Sequence, residues 1–370
     1  MERLESRGLL NRAVEFLPSD AVIDARAGTG RGLTRPEIAV ILAYAKLTLY
    51  ADLLDGNGID DAYLAGELFR YFPGTLHRTY PEAVKGHQLR REVIATVLAN
   101  AMINAGGPAF VSELTSATSA SPGEIALAYA AARDVYGLAE LNSAIDGLDG
   151  VVPGAVQLGL YDRVMRVLRR ESLWYLRNAE VTRGLGTLVD RHKAGVATLR
   201  TLLATTLPGS LRAGVATQID VLVGQGVPEE LARTITELDV LGFASDIVLV
   251  SERAGVPIED GAAAFFGVFA DFGLGAVIDQ AQAIQLSDRF ERMALDRALA
   301  NVMRAQRDLT ADVLASGGGS VAERLQSWTL RQKAGVERTR LAVAELTQGE
   351  LTVSRLSVAA GLLADLAQEA

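Results

Sequence analysis

Apolar residues recur every three or four positions along almost the whole chain, and the alternation of a β-strand is nearly absent. After Thr34-Arg35-Pro36-Glu37, for example, Ile38, Ile41, Leu42, Ala45 and Leu49 fall on one helical face. The four preceding residues form a capping box: Thr34 can accept from the Glu37 amide while the Glu37 carboxylate reaches back, and proline in the first turn loses no hydrogen bond. Pro81, Pro122, Pro153, Pro208, Pro228 and Pro257 sit near other helix starts. Val156, Leu160, Val164 and Leu168 step by four along a long helix over about 153–178. Leu295, Leu299, Val302, Leu309 and Val313 follow heptad a/d spacing, with Gln306 at one seam position. "SGGGS" at 316–320 ends that helix. The expectation is an all-α, multi-helix array without a Rossmann domain.

The helices carry a weak internal repeat. "SASPGEIALAYAAARDVYGLAEL" and "GVPIEDGAAAFFGVFADFGLGAV" align without gaps at an offset of 136, placing Tyr129 on Phe265, Tyr136 on Phe272, Gly137 on Gly273 and Leu138 on Leu274. Each copy reads as a capped turn, an apolar helix and a glycine stop, followed by a long charged helix. Two related helical units would explain this; chance likeness between alanine-rich helices is the other reading. The organisation read from the chain is a connecting helix and glycine-rich loop over 1–33, a first helical unit over 34–180, and a second unit with C-terminal helices over 181–370.

Composition removes several classes of function. The 370 residues include no cysteine, so disulfides, thiolate zinc sites and cysteine nucleophiles are excluded. The three histidines, His77, His87 and His192, do not lie at metal-ligand spacing. A net charge of −9 gives no global field for nucleic acid or an anionic membrane. The apolar windows "IAVILAYAKLTLYADLL" and "GAAAFFGVFADFGLGAVI" contain Lys46 with Asp52, and Asp271, so both read as buried helices, not membrane spans. The N-terminus lacks the apolar core of a signal peptide, and a cytoplasmic location is expected.

The candidate sites are weak. Gly28-x-Gly30-x-Gly32 has its third glycine one position early for a dinucleotide fingerprint, and no GKS or GKT follows, so it reads as helix punctuation rather than a phosphate cradle. Arg163, Arg166, Arg170 and Arg177 share a helix face and read as a solvated stripe. "TSATSASPGEIALAYAAAR" has the rhythm of a helix-turn-helix, but its second helix offers Arg133 alone to read bases. Asp60-Asp61 reads as a cap, not a catalytic pair, and Lys46, Lys85, Lys193 and Lys333 lie in no catalytic motif.

Longer stretches carry more. "GLTRPEIAVILAYAKLTLY", "ELFRYFP", "HQLRREVIATVLANAMINAGGPAFV" and "VPGAVQLGLYDRVMRVLRRESLWYLRN" resemble the C-terminal region of the large bacterial NAD-specific glutamate dehydrogenases, as do "GVPEELARTITELDVLGFASDIVLVSERAGVPIED" and "LSVAAGLL". The resemblance implies an oxidoreductase of amino acid catabolism that converts L-glutamate, NAD and water to 2-oxoglutarate, ammonia and NADH. It also implies that the chemistry and the NAD site lie in a separate region upstream. With Met1 before "ERLESRGLLNRAVEFLP", the chain is expected to begin just past that region. No catalytic, cofactor-binding or metal residue is therefore expected here. The expected role is structural or regulatory, with the catalytic region and further copies of the chain as partners, and no nucleic acid or membrane. The Leu295 to Val313 seam is one surface such a partner could cover. An independent helical scaffold derived from the region, or an enzyme with its own pocket between the repeats, are the alternatives.

Overall fold

The computed structural model describes residues 1–286 and 288–369. Every regular element among them is helical, with no strand and no Rossmann fold, as the periodicity predicts. Contacts divide the chain into two compact units, one of Met1–Ser143 with Gly159–Asp190, the other of Ala144–Leu158 with Arg191–Ala370.

The first part of the chain forms α1 (Glu2–Ser6), α2 (Asp20–Ala27) and α3 (Arg35–Asp55). The Glu37 carboxylate accepts from the Thr34 amide at 2.6 Å, closing the predicted box at the start of α3. Two short 3-10 turns lead to α4 (Gly66–Tyr71), α5 (Gly74–Thr79) and α6 (Pro81–Lys85). Then come α7 (Arg90–Gly106), α8 (Phe110–Thr118), α9 (Pro122–Val135), α10 (Leu138–Asp146) and α11 (Gly154–Asn178). α9 is the core helix: eleven of its fourteen residues are buried. Only glycine permits its tightest contact. A Cβ on Gly58 would lie 2.7 Å from the Gly123 Cα, so two backbones touch there.

The second part forms α12 (Leu185–Thr206), α13 (Gly209–Gly224), α14 (Glu229–Leu241), α15 (Ala244–Ala254), α16 (Ile258–Asp271), α17 (Leu274–Ala283), α18 (Arg289–Ala315), α19 (Val321–Arg331), α20 (Lys333–Thr347) and α21 (Val353–Glu369). Phe243, Phe265, Phe266 and Phe269 form an aromatic cluster with ring centroids 5.3–6.4 Å apart, the edge-to-face and tilted spacing that aromatic quadrupoles favour. The seam on α18 is not left open for a partner. Leu295, Val302, Leu309 and Val313 are buried, and α18 packs chiefly along α21, with α15, α16 and α19 also against it. The sequence reading missed this because α21 supplies the covering apolar face from about fifty residues further on, and helical spacing alone does not pair helices.

The repeat is longer than the aligned stretches. At the same offset of 136, α7 to α11 fall on α14 to α18 in order, with helix ends agreeing to within three residues. α9 and α16 correspond end to end. Gly137 and Gly273 both take φ +63°, and Ser119 and Gly255 are both left-handed at φ +61° and +64°. The left-handed residue lets one helix stop and the next begin without a loop.

No single helix among the described residues is long and apolar enough to cross a membrane; α16 and α17 pass by length and composition together, but the chain bends by 71° between them.

Candidate functional site

The most concentrated chemistry lies where α4 meets α9. α9 is nearly all alanine and aliphatic, so a charge on it must find a partner inside the protein or leave the helix unstable. Arg133 is that charge. Its guanidinium donates to Glu67 Oε1 at 2.7 Å, and to Asp134 Oδ1 and Oδ2 at 2.7 and 2.8 Å. Arg70 donates to Asp134 Oδ1 at 2.9 Å and to Glu67 Oε1 at 3.3 Å, and the Tyr63 hydroxyl donates to Asp134 Oδ2 at 2.9 Å. Arg133 also stands 5.5 Å from the centre of the Tyr129 ring. Burial pushes the Asp134 carboxyl up, but the hydrogen bond and charge of Arg133, with Arg70 behind them, outweigh it and hold the group down at about 2. Burial and then the Asp134 charge raise the Tyr63 phenol. Two cations face two carboxylates, so the cluster is neutral as a whole. Glu67 Oε2 is buried and makes no hydrogen bond.

Other buried polar groups follow the same pattern. The Tyr136 hydroxyl donates to Glu171 Oε2 at 2.7 Å, joining the α9–α10 corner to α11. Arg307 on α18 donates to Asp246 on α15 at 2.5 Å, and Gln306 donates to the Phe265 carbonyl at 2.7 Å. His192 is buried on α12; burial, with the Arg191 charge, lowers its imidazole to about 4 and keeps it neutral.

The glycine run is a helix terminus. The amides of Gly28, Thr29, Gly30 and Arg31 donate to the carbonyls of Asp24, Arg26, Ala27 and Arg26, with Gly30 at φ +70°. A phosphate would need those amides pointing outward, and the segment before them is helix α2 rather than a strand. In the arginine stripe, Arg166 is exposed and Arg170 donates to Glu171 at 2.9 Å. The α8–α9 turn does have helix-turn-helix order, but α9 is buried along its length and presents no reading face. Asp61 caps the turn at 62–65 by accepting from the Tyr63 amide at 2.8 Å, and Asp60 pairs with Arg91. An open cleft of about 320 Å³ lies between the α8–α9 turn and the residues after α11, lined by Thr118, Ser119, Glu124, Glu180, Thr182 and Arg183 among others. Its charged groups are already engaged: Glu180 with Arg183, and Glu124 with the Ser121 cap. No group of three metal-ligating side chains occurs among the described residues.

Sequence reasoning noticed Arg133 only as a poor base reader. The signal lay beside it, in a charged Arg133-Asp134 pair inside an otherwise apolar helix. What sequence could not supply was the distance to Glu67 and Arg70, more than sixty residues away.

These sites define a class: an all-helical protein whose buried charges tie its own helices together. The comparisons name the family. The glutamate dehydrogenase C-terminal family matches residues 30–365, and the chain belongs to it. It is similar to the NAD-specific glutamate dehydrogenases of Pseudomonas aeruginosa (33% identical over 371 residues) and Halomonas elongata (32% over 373), in each case over all of this chain and 23% of the relative. That of Mycobacterium tuberculosis is 27% identical over 354 residues, 95% of this chain and 22% of the relative. The chain thus spans about a quarter of the length of these relatives, and corresponds to their C-terminal region.

Proposed function

We propose that this chain is a non-catalytic helical module of a cytoplasmic NAD-specific glutamate dehydrogenase. It braces or regulates a catalytic region that binds NAD and oxidises L-glutamate, and it associates with further copies of itself. The carrying observation is that the ionisable cluster at the α4–α9 contact, Glu67 with Arg70, Arg133 and Asp134, is balanced internally and ties α4 to α9. A general acid or base works best with a pKa near the operating pH; Asp134 is held far below it. The glycine-rich loop likewise uses its amides to close a helix. The test has two arms. The chain alone, assayed with glutamate and NAD, is expected to show no turnover and no saturable NAD heat in calorimetry; either signal rejects the non-catalytic reading. Mixed with a separately expressed catalytic region, it is expected to form a complex by light scattering; no complex rejects the bracing role.

A further inference from the structure

Residues 71–91 lie loosely on the first unit. Pro73, Gly74, Pro81 and Gly86 cut them into α5 and α6, six and five residues long. Helices that short bury little apolar surface, and Val84 is the only buried side chain in the stretch. Tyr71, Leu76, Tyr80 and Leu89 are 54%, 43%, 60% and 55% exposed. The segment is tethered by Arg91, which donates to Asp60 and to the Leu54 and Gly56 carbonyls at 2.8–2.9 Å, and by the Phe69 to His77 ring contact at 5.5 Å, while Phe72 meets His87 within it at 5.4 Å.

Its charge is also reversed. Arg78, Lys85, Arg90 and Arg91 with Glu82 give the segment a net +3 in a chain of net −9, which leaves the remainder at −12; Arg91 is held by Asp60 at the base of the segment, so the outward charge is that of Arg78, Lys85 and Arg90. Arg78 and Arg90 are exposed, and Lys85 makes only an exposed pair with Glu82. Exposed apolar groups gathered in one patch mark an interaction surface, and tyrosine and arginine are favoured anchors at such surfaces.

We propose that the 71–91 segment is a docking surface for an acidic face of a second copy of this chain. The proposal rests on the self-association included in the function above and adds the surface that mediates it. Charge selects the occupant: a basic, aromatic patch on an otherwise acidic molecule attracts the remainder of its own kind. A reciprocal arrangement, patch to acidic face and acidic face to patch, closes into a twofold dimer. A nucleic acid would find the same patch but meet the repulsion of the acidic remainder.

The experiment is sedimentation velocity on the full chain across a concentration series, at about 0.05 M and 0.5 M salt, where screening lengths differ severalfold. The wild type is expected to self-associate, more weakly at high salt. Arg78→Glu with Arg90→Glu, and separately Tyr80→Ala, are expected to weaken association about tenfold or more with an unchanged circular dichroism spectrum. Association that the variants leave intact overturns the surface while self-association stands. A wild type monomeric throughout overturns both. Tight binding of a labelled oligonucleotide, lost in the arginine variant, overturns the protein partner in favour of nucleic acid.

Discussion

Helices α7 to α11 and α14 to α18 have the same order, nearly the same lengths and left-handed residues at the same two corners, yet their buried polar groups differ. At one position of the long helix the first series has Glu171, reached by Tyr136, and the second has Arg307, reaching Asp246. Tyr136 corresponds to Phe272, and Asp246 to Phe110. Even the sign of the buried charge has changed while the backbone path has not. The path is therefore carried by helix length and corner geometry, and each series satisfies its buried charge with whatever partner its own neighbours supply. An unpaired charge in either would be expensive.

Removing those charges is the strongest way to break the likeness. Arg133→Met takes the buried cation from Glu67 and Asp134, leaving them Arg70 and, for Asp134, the Tyr63 hydroxyl, and should cost up to about 3–5 kcal/mol, the range for a buried pair that loses one partner. Arg307→Met takes the cation from one carboxylate, Asp246, and should cost less. Urea unfolding of the two variants measures the difference, and equal costs would mean that the second carboxylate beside Arg133 adds nothing measurable.

The central helices are packed closely in different ways, which gives a second contrast. α9 touches the Gly58 backbone at Gly123, whereas α16 faces a side chain: a Cβ on Gly261 would fall 1.8 Å from Ser251 Oγ. Gly261→Ala should therefore cost about 1–3 kcal/mol as overpacking. Adding Ser251→Ala should recover part of the loss, because the remaining Cβ would lie at 3.1 Å. Gly58→Ala has no such rescue, since backbone opposes it. A double-mutant cycle on Gly261 and Ser251 should show favourable coupling; simple additivity would place the strain elsewhere.

Much of this comparison was legible in the sequence. The Tyr136-Gly137-Leu138 and Phe272-Gly273-Leu274 triplets mark the same corner because a left-handed residue between helices favours glycine, a local requirement that leaves a local trace. The Ser119 corner was hidden, since serine takes the left-handed place that Gly255 takes in the second series. The 3.6 period revealed the α18 seam but not α21 as its cover, and Arg133 was visible without Glu67. Local geometry is written in neighbouring residues, whereas pairing between distant elements depends on side chains that adjoin only after folding.

The two glycine corners allow a finer measurement. An added Cβ on Gly273 would meet nothing within 4 Å, and on Gly137 only Glu140 Oε2 at 3.7 Å. Gly137→Ala and Gly273→Ala should each cost about 1–2 kcal/mol from the left-handed backbone alone, and the two melting curves should shift alike. Ser119→Gly should gain up to about 1 kcal/mol by relieving the same strain. Unequal shifts for the two alanine variants would show that the corners are not equivalent.

The smallest effect concerns the long helices, where Leu176 in the first series corresponds to Asp312 in the second, and Ser172 to Asp308. Burial, then the nearby Asp308 charge, pushes the Asp312 carboxyl up to about 6 from an ordinary 3.8, and its Oδ2 is buried without a hydrogen bond. The folded state therefore holds this proton more tightly than the unfolded chain. The sign follows: Asp312 is least costly below pH about 4, and stability is lost as pH rises through the window to about 6. Asp312→Asn removes the titration and should stabilise the protein at pH 7 by about 1 kcal/mol, after allowance for its partial exposure. His192 works in the opposite direction, losing stability as pH falls from 6.5 towards 4, so the wild type alone gives a mixed profile. The difference between wild type and Asp312→Asn cancels the histidine, because both proteins carry it. That difference should be small at pH 4 and should favour the variant increasingly up to pH 7 in thermal melts. A difference that stays flat across the window would mean that Asp312 is as well solvated in the fold as in the unfolded chain.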